Sequence, residues 1–453
     1  MRKTFRLGLV RCSPVRRTSL LGCLLGASLL LPACEGGSPE ISSENRGEPG
    51  AQSRGDGAVE QLMTGLPTAG EWRGSLSSPG GPLTFGLEFV EETEGLRAYV
   101  LNGPERRAAG LVQETADGIE FPLPPYRSRI VGSLSRMKSG GASIVGTWEL
   151  DRGKETPSIL PFAAIDSATP PEIPELSGEE AARMSGRWAV QFEGDEDPSV
   201  GVFQVERSGR ATGTFLTTLG DYRYLAGFSD GTQLHLSCFD GAHAFLFAAL
   251  RQEDGSLSGD FWSRDSYHTT WTASKSRDAA LPDDFALTEW VGGVPLSEVR
   301  FPDASGTVKS LADDDFQAQA RLLVIFGTWC PNCNDLTEYL VQLKAQYEDL
   351  SIVGIAFELG EDPEAHRSAV QDYAEHHGAT YPILIGGTAN KTAASEAFPL
   401  VDRVRAYPTT VFMDEHGNVS AVHTGFSGPA TGEVYETLKL RFESEIETLL
   451  ATD

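Results

Sequence analysis

The sequence most plainly carries chemistry at Cys330-Pro331-Asn332-Cys333, two cysteines with two residues between them. They follow a continuous apolar run, Leu322 to Phe326, which reads as a buried central strand. After them comes a helical pattern with Leu336, Leu340, Leu343 and Tyr347 on one face. The pair therefore sits where a strand turns into a helix. Two intervening residues on a first helical turn bring two sulfurs within reach of an intramolecular disulfide. A helix N-terminus offers partial positive charge and free N–H groups, which stabilise a thiolate, and proline is tolerated at the first helical position because its missing N–H has no partner there. The chemistry these features favour is thiol–disulfide exchange: Cys330 attacks a disulfide and Cys333 resolves the mixed disulfide. No second cysteine pair or suitably spaced histidine pair accompanies them, which argues against zinc. A purely structural disulfide is the blander reading, although such bridges at helix starts are usually labile. His376-His377, just before Gly378, reads as a cationic end to a helix rather than as a ligand pair.

From about Phe285 onward strands and helices alternate, the pattern of an α/β unit. Within it, Phe326-Gly327-Thr328-Trp329-Cys330-Pro331-Asn332-Cys333 resembles the active-site loop of the TlpA/ResA-like branch of thioredoxin-fold proteins. Tyr407-Pro408-Thr409-Thr410-Val411-Phe412 resembles the cis-proline strand of the same branch. The hairpin turn at Asp414-Glu415-His416-Gly417-Asn418 follows, then a closing helix with Val434, Leu438, Phe442, Ile446 and Leu449 on one face. Phe301 through Leu311 resembles the short hairpin preceding the fold, and the stretch from Glu358 to Tyr381 fits the branch's insertion. The resemblance covers residues 285–453. It implies Cys330 as nucleophile, Cys333 as resolving thiol and Trp329 as a shield beside the disulfide. Pro331 lies between the sulfurs. Pro408 would be cis and face them, with the Tyr407 backbone offering hydrogen bonds to an extended substrate. It also implies protein thiols and disulfides as substrates, apocytochrome c thiols among them, an unidentified electron donor, and no cofactor beyond the dithiol. Val324 stands where thioredoxins often bury an acid, and Glu338 replaces the proline that kinks their helix. Glu358, near where reducing members place a carboxylate, is a candidate substitute for that acid, with a solvated surface residue the preferred reading.

At 453 residues the chain exceeds one ordinary core, and the part before the dithiol unit looks duplicated. Gly70-Glu71-Trp72, Ala109-Gly110 and Gly146-Thr147-Trp148 are echoed by Gly186-Arg187-Trp188, Ala226-Gly227 and Gly259-Asp260-Phe261-Trp262. Counted Gly to Gly, the spacings are 40 then 36 and 41 then 32. Apolar and polar residues alternate in short runs such as Leu83, Phe85, Leu87, Phe89, the signature of antiparallel strands. The expected architecture is multidomain: two all-β repeats, barrel or sandwich, at residues 68–166 and 183–276, joined by a Pro-rich linker at 167–182, and then an α/β thioredoxin fold at 285–453. The tryptophans read as core anchors. Cys238 shares a strand face with Leu234 and Leu236, opposite His235, and reads as a buried structural thiol.

Residues 1–34 read as a targeting segment: Arg2, Lys3, Arg6, Arg11, Arg16 and Arg17, an apolar run from Leu20 to Leu31, then Pro32-Ala33-Cys34. The run is short for a membrane span, and its end resembles a bacterial lipobox, in which Cys34 would be lipidated. Gly-, Ser- and Glu-rich residues 35–67 would form a flexible tether with a reach of roughly 30 Å. These features imply an exported protein, lipid-anchored on the periplasmic side of a bacterial membrane. A net charge of -27 excludes nucleic acid as a partner class, since that association runs on Lys and Arg neutralising phosphates. Two other functional classes stay open. One is a ligand- or partner-binding lipoprotein whose thioredoxin-like domain is non-catalytic. The other is a thiol peroxidase, whose Thr-x-x-Cys pattern would need threonine at the position of Gly327.

Overall fold

The computed structural model describes residues 59–451 except 139, 154–155, 167–172 and 174. The targeting segment, Cys34 and the tether as far as residue 58 lie outside the described residues.

The first sheet is an antiparallel meander. From Gly70–Ser78 through Gly81–Glu92, Gly95–Asn102 and Glu105–Leu111, each strand pairs with the next. The same holds from Gly118–Pro122 through Ser128–Met137, Ala142–Leu150 and Ser158–Ile165, and the last strand returns to pair with Gly70–Ser78. Alternation drives the curl: Leu83, Phe85, Leu87 and Phe89 are all buried while the residues between them are not. No ladder joins Glu105–Leu111 to Gly118–Pro122. There Pro122, which has no N–H to donate, faces Gly110, and the short hairpin strand Gln113–Thr115 takes the remaining edge. This barrel is open along one seam.

The second meander runs through Gly186–Phe192, Ser199–Val205, Arg210–Thr217, Leu225–Ser229, Gln233–Phe239, Ala244–Arg251, Leu257–Ser263 and Tyr267–Lys275. Here every successive pair is hydrogen-bonded and the last strand pairs with the first, so the barrel closes. The three glycine-marked motifs of the sequence fall at matching places in the two meanders: on Gly70–Ser78, Glu105–Leu111 and Ala142–Leu150, and on Gly186–Phe192, Leu225–Ser229 and Leu257–Ser263. Trp72, Trp148, Trp188 and Trp271 fill the interiors, but Trp262 does not. Phe261 points inward in its strand and Trp262 therefore faces outward, stacked on His268 and pressed against Gly80. Cys238 is fully buried in the second barrel's core, and burial pushes its thiol pKa well up. Its neighbour Phe239 points the other way, into the first barrel, where its ring meets Phe85 and Trp148 at 4.6 and 5.2 Å.

Two of the expected linkers are shorter than the sequence reading placed them. Strand Val59–Leu62 lies within the predicted tether yet pairs with Ser135, Arg136 and Met137. The reason is that Gly118–Pro122 covers only residues 129–132 of the same strand, leaving backbone groups beyond it free to pair. Likewise a helix at Gly178–Met184 begins inside the predicted Pro-rich linker. Ser177 and Glu180 form a reciprocal capping box, and Leu176, Ala181 and Met184 pack into the second barrel.

The C-terminal unit opens with a hairpin, Arg300–Pro302 with Val308–Ser310. Strand β1 (Ala320–Phe326) then leads through the cysteine loop into helix α1 (Pro331–Gln346), followed by β2 (Leu350–Glu358), α2 (Pro363–His377) and β3 (Ile383–Thr388). Helix α3 (Lys391–Ala397), β4 (Thr409–Asp414), β5 (Val419–Thr424) and α4 (Glu433–Leu450) complete it. The sheet order is β3-β2-β1-β4-β5, with β1 to β3 parallel and β4 and β5 antiparallel to their neighbours. Every residue of β1 is buried, as expected for the central strand of a sheet covered on both faces. Helix α1 runs unbroken through Glu338.

Candidate redox site

Cys330 is the N-cap of α1, and its sulfur accepts the Cys333 amide N–H at 3.3 Å. This is the geometry in which a helix start stabilises a thiolate. As a thiol, Cys330 donates to the Tyr407 carbonyl oxygen at 3.4 Å, and the Tyr407–Pro408 peptide is cis. Burial, together with Cys330, raises the Cys333 pKa well above that of an ordinary thiol. The pair thus divides in character, one sulfur at the helix cap and one in the core.

A ring of polar groups fixes the loop. Asn334 Nδ2 donates to the Cys330 carbonyl at 2.9 Å, and Asn334 Oδ1 lies 2.6 Å from His377 Nε2. The Tyr373 hydroxyl donates to the Cys333 carbonyl at 3.1 Å. Trp329 Nε1 donates to the Phe357 carbonyl, and its ring meets Tyr407 edge-on at 5.7 Å. His377 is not the cationic helix end that the sequence suggested. Burial and the neighbouring His376 push its pKa down to about 3, so it is a neutral hydrogen-bonding partner; Gly378, at φ 61°, ends the helix instead.

Glu358 is also placed differently from its sequence reading. It is only 3% exposed, because it is the last residue of the buried strand β2. Its two oxygens accept the Thr328 amide and hydroxyl at 2.9 and 2.6 Å, directly before the cysteine loop. Burial raises its pKa, with the Thr328 bonds opposing, and its charge in turn helps raise Cys333. The resemblance put Glu358 near a carboxylate position, but standing directly after the apolar run that ends at Phe357 carried no sign of its burial; the parallel register of β1 and β2 brings it beside Thr328.

The second barrel roofs the site, and nothing in the sequence pointed to this. Its turn at Leu219-Gly220 lies against Gly425 and Asn332. Asn332, between the cysteines, donates through Nδ2 to the carbonyls of Asp221 and Phe426 at 3.3 and 2.9 Å. Asp221 accepts the Gly428 amide at 2.5 Å, and burial pushes its pKa up to about 6. Arg223, held at φ 64° and fully buried, pairs with Asp335 of α1, with Glu105 of the first barrel at 3.1 Å and with Asp240 at 3.5 Å. Arg107 stands 3.8 Å from Asp335. In consequence Cys330 is 6% exposed and Cys333 fully buried. Pro331, Tyr407 and Pro408 are buried with them, while Trp329 is half-buried. Among the described residues no cluster of three His, Cys, Asp or Glu is arranged to hold a metal ion.

A parallel-centred sheet with a helix-capped Cys-x-x-Cys loop facing a cis-proline defines a thioredoxin-type redox domain. The comparisons agree: residues 292–438 match the Redoxin family model, so the chain carries a Redoxin domain at its C-terminal end. Over 111 residues it is 30% identical to a thiol-disulfide oxidoreductase ResA of Halalkalibacterium halodurans, covering 24% of this chain and 57% of that protein. Over 122 residues it is 30% identical to the thioredoxin-like protein YneN of Bacillus subtilis, covering 27% and 64%. The chain thus matches under two thirds of the length of these relatives, and the family match at residues 292–438 leaves out the barrels. A solved thiol:disulfide interchange protein of Chlorobium tepidum TLS aligns at 23% identity and TM-score 0.26, covering 36% of this chain and 100% of that one.

Proposed function

We propose that the protein is a membrane-anchored thiol–disulfide oxidoreductase that reduces protein disulfides outside the cytoplasm. Cys330 attacks the substrate disulfide, forming one new S–S bond and releasing one substrate thiolate. Cys333 then attacks Cys330, freeing the second substrate thiol and leaving the Cys330–Cys333 disulfide, which an electron donor must reduce again. The observation that carries this reading is the Cys330 sulfur at the cap of α1, accepting the Cys333 amide and facing the Tyr407 carbonyl. The relatives support it, since the matched ResA proteins are thiol-disulfide oxidoreductases by name. Anchoring through lipidated Cys34 rests on the basic and apolar run before it. The two barrels we read as one duplicated unit, on the strength of glycine-marked motifs at matching places in both meanders. They would decide which substrates reach the dithiol.

The test is the equilibrium reduction potential of the pair in the whole protein, titrated against glutathione and dithiothreitol. A value below about -250 mV supports a reductant, and one near about -120 mV would reverse the direction proposed. A pair that does not interconvert reversibly would overturn the oxidoreductase reading.

A further inference from the structure

Beside the dithiol, at the mouth of the second barrel, lies a cavity of about 450 Å³ whose walls come from all three units. That volume falls within the range of small-molecule sites, which favour the junctions between domains. Its barrel side is aromatic. Phe245 and Phe261 lie 5.4 Å apart, Tyr222 packs edge-on to both, and Tyr267 meets Phe261 at 5.9 Å. Its other side is the active-site loop and its support, Thr328, Trp329 and Glu358, with α2 behind them.

The polar groups on this cavity are unevenly satisfied. Asp151 is paired with Arg127 at 2.5 Å, and Glu358 is bonded to Thr328. Asp195 and Asp372 also face the space, both exposed to solvent. Arg264 is the exception. It is held in the left-handed region at φ 58°, its Nε is buried without a hydrogen-bond partner, and another of its guanidinium nitrogens donates to the Ala242 carbonyl at 3.3 Å. Among the described residues it forms no ion pair; burial and a second cation on the same cavity, Arg152, lower its pKa to about 10, with Asp265 and Asp240 opposing. A strained backbone and a half-buried guanidinium with no ion pair and one unpartnered nitrogen are costly features that persist at ligand sites. In a chain of net charge -27 they mark a local demand for an anion.

We propose that this cavity binds a compact amphipathic anion: an aromatic or aliphatic body seated on Tyr222, Phe245 and Phe261, with a carboxylate or sulfonate on Arg264 and Arg152. This inference does not depend on the redox reading. The walls belong partly to the barrel and partly to the active-site loop, so the occupant clamps the roof over Cys330, by preferential binding to the closed arrangement.

Calorimetric titration of the whole protein with naphthalene-2-carboxylate, 2-naphthylmethanol and 2-naphthylmethylamine tests it. The carboxylate is expected to bind with one-to-one stoichiometry and at least about tenfold more tightly than the alcohol, the factor expected of one charge-assisted hydrogen bond. Arg264→Gln should erase that difference. Ala369→Phe, which fills the space from α2, should abolish binding, and this variant decides the matter if Arg264→Gln does not fold. Equal binding of acid and alcohol, preference for the amine, or binding that survives Ala369→Phe would each overturn the proposal.

Discussion

Replacing Arg223 with methionine probes how the roof is held. Arg223 is fully buried and faces Asp335, Glu105 and Asp240 at once. Methionine keeps much of the volume and removes the charge, stranding the Asp335 carboxylate at the interface between barrel and redox domain. Breaking a buried pair from one side costs about 3–5 kcal/mol. Arg107, 3.8 Å from Asp335, compensates in part and sets the expectation at the lower end. If that cost falls on docking, about 3 kcal/mol multiplies the undocked population roughly a hundredfold. Iodoacetamide must reach Cys330 through the undocked form, because the docked thiol is 6% exposed. Alkylation of Cys330, followed by mass spectrometry at fixed pH, should therefore accelerate about a hundredfold in Arg223→Met and by less in Arg223→Lys. Asp335→Asn should fall between wild type and Arg223→Met, since Arg223 keeps Glu105 and Asp240. An unchanged alkylation rate in a variant whose circular dichroism shows it folded would refute the view that this cluster holds the roof.

Three further outcomes follow from the same geometry. Cys333→Ser should accumulate mixed disulfides with substrate proteins on non-reducing gels, whereas Cys330→Ser should accumulate none. Glu358→Gln keeps one acceptor for the Thr328 amide and turns the other contact round, its amide nitrogen donating to the Thr328 hydroxyl, but removes a charge that raises Cys333. The pH profile of intramolecular disulfide closure should therefore move to lower pH, and an unmoved profile would count against coupling between the two. Asp221 has a folded-state pKa of about 6, above the ordinary carboxyl value of 3.8. A group raised in this way favours the folded state at pH below the ordinary value, and loses that contribution as pH rises through about 6. Two pKa units correspond to about 3 kcal/mol. Urea midpoints should fall between pH 4.5 and 7 in the wild type and change less in Asp221→Asn.

The dithiol and the element on either side of it were legible in sequence because their signals are local. An apolar run ending at Phe326, two cysteines spaced by two residues and apolar positions at helical intervals all act through neighbours in the chain. The β character upstream was legible for the same reason, through alternation such as Leu83 to Phe89. Boundaries were less so. The Ser177–Glu180 capping box was a readable local signal that the Pro-rich composition around it masked. Strand Val59–Leu62 depends on an edge left unpaired by a distant hairpin.

What tertiary structure alone decided is the setting of the chemistry. Glu358 reached the active site through parallel pairing of β1 with β2, and Phe261 rather than Trp262 turned inward because strand register, not residue size, selects the face. Arg223 and Asp335, 112 residues apart, meet only because the second barrel docks on α1. A charge read in sequence carries no information about its partner, since Coulombic attraction acts through space. The sequence by itself determined a reactive pair and the elements that hold it. Packing between domains decided that this pair is covered, which charges cover it, and that an aromatic cavity with an unpaired arginine opens beside it.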